Sequence, residues 1–293
     1  MWPIRSMLYL PAHRRDWVTK AIRVKPGAVI LDIEDSVPPQ FKPQAMTLLK
    51  DEIAELQAAG MGAIVRVQPM HDGTAAEVAA AVTGGLTAII MPKVLSPADV
   101  GRMADMLSYA EGRAGVAHGS VGILPLPETP EAMYAAHDIA KASPRVRGIH
   151  GALSGPVSGD LARAFGFRAT TEGLEQMYLA SKLVLDSRAG GALFPIAAVF
   201  GTPASDLDAV ERLVRRARDF GYTGVAVMHP THVPVANAVY RPTAEEVAYF
   251  TGLLAAFEAA EKAGLGAVSY QGAMVDYAML PLAREVLADA ERG

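Results

Sequence analysis

Short apolar runs alternate along the chain with longer stretches of helical period. The runs are SMLYLPA (from Ser6), AVILDIED (from Ala28), AIVRVQPM (from Ala63), TAIIMPKV (from Thr87), VGILPLPET (from Val121), RGIHGALSG (from Arg147), LFPIAAVFG (from Leu193) and TGVAVMHP (from Thr223). Each is brief and almost continuously apolar, as expected of a strand covered on both faces. Residues 96–113 and 204–220 read as helices between them. In the second, Leu207, Val210, Leu213 and Val214 recur at helical spacing, Arg212, Arg215, Arg216 and Arg218 take other positions, and Asp206 and Asp208 suit the positive end of the helix.

Eight strands alternating with helices predict an α/β fold, a (β/α)8 TIM barrel, whose usual size is ~250 residues. A doubly wound open sheet is the alternative, since alternation alone does not fix closure; the count of eight favours the barrel. Residues 1–242 hold the barrel on this reading. Residues 243–293 hold its last helix and a C-terminal helical extension, with a glycine-containing break (AGLGAVSYQG) before a final helix from about Leu280. This tail exceeds what eight units need and is expected to pack on the barrel mouth or on a neighbouring subunit.

Composition narrows the chemistry. With 51% hydrophobic and 20% charged residues the chain is no disordered segment. It has no cysteine, which removes disulfides, thiolate zinc, iron–sulfur clusters and cysteine nucleophiles together. The 27 Lys+Arg against 31 Asp+Glu give a net charge of −4, so nucleic acid is not an expected partner. No run reaches the ~18–20 apolar residues of a membrane span, and the N-terminal apolar run is too short for a signal segment. A soluble cytoplasmic protein is the expectation.

In a (β/α)8 barrel, chemistry gathers at the C-terminal ends of the strands. There the runs carry Asp32, Glu34 and Asp35, then Arg66, Lys93, Glu128, Asp160 (beyond Ser154) and His229. Glu128 and Asp160 offer hard oxygen ligands suited to Mg2+, and Arg66 offers a planar fork for a carboxylate or polarised carbonyl. Such a set fits carbon–carbon bond cleavage or formation beside a 2-oxo acid. Against each stands a plainer role: Arg66 in a buried ion network, Lys93 as a structural or electrostatic lysine rather than a Schiff-base one, and His229 and His232 as hydrogen-bonded structural histidines. Ser154 and Ser158 lie near glycines but outside the G-x-S-x-G pattern of a nucleophile elbow.

The segments RSMLYLPAHR, ILDIEDSVPPQFK, VRVQ, IIMPKV, PLPETPEAM, SGDLARAFG, MHPTHVPVANAVYRPTAEEV and GAMVDYAML run nearly end to end. In this order they resemble the citrate lyase β-subunit-like (CitE-like) group of the HpcH/HpaI aldolase superfamily, related to malyl-CoA and citramalyl-CoA lyases. The resemblance implies a Mg2+-dependent oxo-acid lyase that cleaves or forms a 3-hydroxyacyl thioester, such as a citryl-, malyl- or citramalyl-thioester of CoA or acyl carrier protein. It also implies a homo-oligomer, a trimer or hexamer. By the same likeness Arg66 grips the oxo-acid, Glu128 binds both metal and substrate, and Asp160 is the second metal ligand. Asp32, Glu34 and Asp35 line the metal site through waters, and Asp276 is the tail aspartate implicated in proton transfer in a neighbouring active site. The sequence departs from the pattern at Gly159, Gln68, Ala12 and Pro127. Ala273 and Ala197 replace a lysine and an aspartate on the thioester side. Two alternatives stay open: a class II aldolase on free hydroxy-oxo acids, and a non-catalytic barrel subunit binding Mg2+ and an oxo-acid.

Overall fold

All eight apolar runs form parallel strands. The computed structural model describes residues 2–157 and 159–291; Ser158 lies outside the described residues. The strands are β1 (Ser6–Pro11), β2 (Ala28–Asp32), β3 (Gly62–Arg66), β4 (Leu86–Pro92), β5 (Gly122–Leu126), β6 (His150–Ser154), β7 (Ile196–Phe200) and β8 (Gly224–Val227). Among the described residues they form one sheet in the order β5-β4-β3-β2-β1-β8-β7-β6. The ends of that order meet through the chain ahead of β6. Ile123 N–H donates to the Arg145 carbonyl at 2.8 Å, and Arg147 N–H donates to the Ile123 carbonyl at 3.0 Å. The sheet is thus a nearly closed (β/α)8 barrel, not an open doubly wound sheet.

Successive strand residues face opposite sides, and both sides here are buried. Met7, Ala28, Ile30, Ile64, Ala88, Ile90, Leu124, Leu126, Ile196 and Ala226 belong to one cluster, with Tyr9 packed against it. This parity fills the barrel. The other parity, including Leu8, Val29, Leu31, Val65, Ile89, Ile123 and Val225, is equally buried, as expected under a ring of helices.

Local chemistry sets the helix ends. Helix Pro97–Ala114 begins with a capping box between Ser96 and Asp99 and ends on Gly115 at φ 66°. Helix Leu207–Phe220 starts where Asp206 accepts from Ala209 N–H at 3.0 Å. That is three residues later than the pattern predicts. The Ala204 carbonyl is engaged instead by Thr231 Oγ1 at 3.1 Å and His232 Nε2 at 3.3 Å, which holds the chain out of the helix.

A buried ion pair braces the β5–β6 seam, where the ladder is thinnest. Arg145 donates to both Glu111 oxygens at 2.9 and 2.7 Å and to the Val121 carbonyl at 3.1 Å. Glu111 also accepts from the Gly119 and Val121 N–H groups at 2.8 and 3.0 Å. Burial alone would raise the Glu111 carboxyl, but Arg145 and these N–H groups hold it at about 2. Its folded-state value lies below the unfolded one, so its contribution is full above about pH 4.5 and fades as pH falls toward 2. Arg145→Met, which strands a buried carboxylate, is expected to cost ~3–5 kcal/mol. Denaturant unfolding at pH 7 checks it, and a loss under ~1 kcal/mol would mean the pair does not brace the seam.

The chain divides into two compact units, residues 1–237 and 238–293. In the second, Thr243 and Glu246 form a capping box that starts helix Ala244–Lys262, and helix Leu280–Glu291 follows later, as the pattern predicts. The glycine-containing break is not a loop but a hairpin. Ala267–Tyr270 pairs antiparallel with Ala273–Asp276, turning through Gln271 at φ 47° and Gly272 at φ 84°. Two successive positive φ values make the tight turn whose twist matches a hairpin. Leu253, Phe257, Val275, Leu280 and Ala283 form this unit's own core. No described helix is long and apolar enough to cross a membrane.

Candidate active site

The inward parity that fills the barrel turns polar toward the C-terminal ends of the strands. Asp32 follows Ile30, Arg66 follows Ile64 and Glu128 follows Leu126 at two-residue steps. Asp32 and Arg66 are paired across the β2–β3 ladder. The Arg66 Nε and Nη2 each donate at 2.7 Å to one oxygen of Asp32, which is fully buried. Its Nη1 lies 2.9 Å from Glu34 Oε2, and its guanidinium sits 4.9 Å from the centroid of the Tyr9 ring. Burial would weaken the arginine's hold on its proton, but Asp32 and its neighbours more than restore it. Asp32 itself is pulled below the usual carboxylate range, burial opposing and Arg66 prevailing.

Lys93 is the second hub. It follows β4 in the left-handed region, at φ 50°, a conformation that costs a non-glycine residue energy and tends to persist where surrounding contacts impose it. Its Nζ lies 2.8 Å from Glu34, 3.4 Å from Asp35 and 3.4 Å from Asp160, while its backbone N–H donates to Glu128 Oε2 at 3.2 Å. Desolvation favours the neutral amine, yet Glu34, Asp35 and Asp160 together raise the lysine above its ordinary value. A protonated, thrice-paired ammonium is no Schiff-base nucleophile.

Glu128 stands between β5 and a short helix, Pro130–Tyr134, that Thr129 caps by accepting from Ala132 N–H at 3.2 Å. Burial first, and then the charge of Glu34, pushes its carboxyl up to about 7. Asp160 opens helix Asp160–Phe165. Its hydrogen bond from Arg163, at 2.8 Å, holds it below the usual range. The loop leading to it is pinned to β7: Gly155 N–H donates to the Phe200 carbonyl at 2.8 Å, and Val157 N–H to the Gly201 carbonyl at 3.3 Å. Gly201 has φ 80°, and a Cβ there would meet the Val157 carbonyl oxygen at 1.9 Å. That close approach explains the glycine just past the end of β7, opposite Val157.

Arg66, Glu128, Asp160 and Asp35 line one cavity of about 250 Å³, together with Tyr9, Leu126, His150, Gly159, Leu161, Ala198, Phe200 and Met228. Asp32 and Glu34 are not in the lining; they hold Arg66 and Lys93 from behind. Five carboxylates, Asp32, Glu34, Asp35, Glu128 and Asp160, therefore face three cations, Arg66, Lys93 and, at Asp160, Arg163. The excess of negative charge adds to burial in raising Glu128, and a divalent cation would relieve it. Among the described residues no three His, Asp or Glu side chains are arranged to hold a metal alone. Two carboxylates with waters and a substrate oxygen completing the sphere suit Mg2+, which keeps several waters, so the donor set fits that ion.

The remaining sequence candidates are not among the residues that line this cavity. Asp276 is in the second unit, where its Oδ1 accepts from Ala278 N–H at 2.9 Å and caps the turn Tyr277–Met279. His229 bonds Thr231 at 2.7 Å and His232 bonds the Ala204 carbonyl, so both are tied into the loop after β8. Sequence reading passed over Tyr9, His150, Phe200 and Met228. Their signal was parity: Tyr9, Phe200 and Met228 lie an even number of residues from the core-filling positions Met7, Ile196 and Ala226, and His150 is level with Ile196 in the ladder.

The model of the HpcH/HpaI aldolase/citrate lyase family matches residues 5–232. A citrate lyase subunit beta-like protein of Deinococcus radiodurans is 30% identical over 296 residues, covering 97% of this chain and 96% of its own. A (3S)-malyl-CoA thioesterase of Cereibacter sphaeroides is 30% identical over 292 residues, covering 99% and 95%. The crystal structure of protein CitE from Mycobacterium tuberculosis, in complex with magnesium, acetoacetate and coenzyme A, superposes with a TM-score of 0.74 at 26% identity, covering 99% of this chain and all of that one.

Proposed function

The chain belongs to the HpcH/HpaI aldolase/citrate lyase family, and from that premise we propose that it is a Mg2+-dependent carbon–carbon lyase that cleaves or forms a 3-hydroxyacyl thioester with a 2-oxo acid as partner. The observation that carries this reading is the meeting of Glu128, Asp160 and Arg66 around one cavity at the barrel mouth. Glu128 and Asp160 would hold the metal. When bound, Mg2+ supplies a Lewis acid for the oxygens of the oxo-acid.

The chain's own residues supply the rest. Arg66 spends Nε and one Nη2 hydrogen on Asp32, and its Nη1 lies 2.9 Å from Glu34; a guanidinium has five N–H groups, so donors still remain for a carboxylate or a charged oxygen. Because Asp32 and Glu34 fix the fork before substrate arrives, little reorganisation is needed when charge develops. Lys93 keeps Glu34, Asp35 and Asp160 together against their mutual repulsion. Apolar Leu126, Leu161, Ala198 and Phe200 in the lining limit water around the reacting carbons.

The test compares malyl- and citramalyl-CoA with free 4-hydroxy-2-oxo acids, each with Mg2+ and with excess chelator. Thioester cleavage that the chelator abolishes is the expected outcome. Cleavage of the free acids alone would make the protein a class II aldolase, the reading that Ala197 and Ala273 favour; turnover indifferent to chelation would sink the metal's role in either.

For Asp276 the proposal is proton transfer in the active site of a second copy of the chain. Its support is a tail that folds around its own core and carries the family-like GAMVDYAM segment. Mixing Asp276→Ala with Glu128→Gln under conditions that exchange subunits should then restore activity to a fraction of the mixed sites. Two dead variants that stay dead on mixing would refute it.

A further inference from the structure

Two neutral side chains close the inner end of the cavity. His150 is level with Ile196 in the β6–β7 ladder, four residues before Phe200 at the mouth, and Tyr9 is level with Ile30, one step below Asp32 and Arg66. The Tyr9 hydroxyl and His150 Nε2 are 3.0 Å apart, and His150 Nδ1 is 3.2 Å from the Ile196 carbonyl oxygen. A carbonyl only accepts, so Nδ1 carries the hydrogen and Nε2 accepts from the tyrosine. Both ring nitrogens are therefore satisfied without a charge. Burial also pushes the imidazole down to about 4.

The walls add no positive charge. Leu126, Leu161, Ala198, Phe200 and Met228 are apolar, and Arg66 is the one cation among the described lining residues. Lys93 lies within ion-pair distance of Glu34, Asp35 and Asp160, and Arg163 is spent on Asp160. The other charged lining groups, Asp35, Glu128 and Asp160, are acids. A 2-oxo acid with one carboxylate takes up both positive charges of the site, Arg66 and the Mg2+ that Glu128 and Asp160 would hold. A second carboxylate would lie against apolar walls or acidic ones, desolvated and unpaired, which is costly.

We propose that this cavity selects 2-oxo monocarboxylic acids with a short uncharged substituent, the pyruvate class, over dicarboxylic oxo-acids such as oxaloacetate. This rests on the lyase reading above and names the oxo-acid for it. A cavity of about 250 Å³, room for roughly eight waters at ~30 Å³ each, suits an acid of a few carbons.

Calorimetric titration of the full chain in saturating Mg2+ with pyruvate, 2-oxobutyrate and oxaloacetate tests it. 2-Oxobutyrate and oxaloacetate have four carbons each and differ in a methyl against a carboxylate. Pyruvate and 2-oxobutyrate are expected to bind within about tenfold of each other, and oxaloacetate at least ~20-fold more weakly. Oxaloacetate binding as tightly as 2-oxobutyrate overturns this proposal and leaves the lyase reading standing. Binding of none of the three overturns both. Met228→Arg places a cation at an exposed lining position and should shift the ratio toward oxaloacetate by ~fivefold or more. An unchanged ratio overturns the proposal, because charge on the wall would then not be what discriminates.

Discussion

Glu128→Gln is expected to lower Mg2+-dependent kcat/KM by ~10³-fold or more while leaving the fold intact. The glutamine is nearly isosteric, and its carbonyl oxygen can still accept the Lys93 N–H that Glu128 Oε2 accepts now. What disappears is the charge. Glu128 is the carboxylate that burial and Glu34 push up to about 7, so in the protein without metal it is the least stable anion of the group. Its folded-state value is raised, so its ionisation costs stability progressively as pH climbs from about 4.5 to 7, and the cost is complete above that. The variant should therefore melt at the same temperature as the native protein near pH 5 and no lower above pH 7. Thermal unfolding at both pH values, beside turnover across a Mg2+ titration, separates loss of the ligand from loss of the fold. Native turnover from this variant would remove Glu128 from the chemistry.

Arg66 carries the second large effect, in two forms. Arg66→Met leaves Asp32 and Glu34 buried with their main cation gone, and such stranded charges cost ~3–5 kcal/mol. Much of the variant is expected to be unfolded or aggregated. Arg66→Lys keeps one positive charge but cannot meet both oxygens of Asp32 and also face the cavity, because an ammonium is a point charge and not a fork. It should fold with reduced stability and lose ~10²-fold or more in kcat/KM, with most of the loss in KM for the oxo-acid in the synthetic direction. A lysine variant with native KM and stability would show that the fork, rather than the charge, is dispensable. The same pairing answers the plainer role that the sequence left open: Arg66 does sit in an ion network with Asp32 and Glu34, and that network aims the guanidinium at the cavity.

Strands and caps were legible because their causes are local. A run such as AVILD needs only its own side chains to prefer a buried strand, and Asp206 needs only the N–H of Ala209 to start a helix. The tail hairpin was missed although its pairing is local too. SYQGA offers few strand formers, and its register comes from pairing with a partner nine residues away at most, reinforced by Val275 in the second unit's core. Glycine there looked like a break, when it served the turn. The start of the helix at Leu207 was also misjudged, since the carbonyl of Ala204 is claimed by residues 27 and 28 positions downstream.

By itself, then, the chain's pattern determined eight buried parallel strands, the acids and the arginine at their ends, and the absence of thiol chemistry. Only the tertiary structure decided which of those charges meet. Closing the barrel sets Arg66 opposite Asp32, hangs Lys93 among three carboxylates, and joins Tyr9 to a histidine 141 residues away. The division has one physical reason. Periodicity and capping are properties of neighbours along the chain, whereas charge pairing and the shape of a cavity depend on distances that exist only once strands far apart in sequence are hydrogen-bonded side by side.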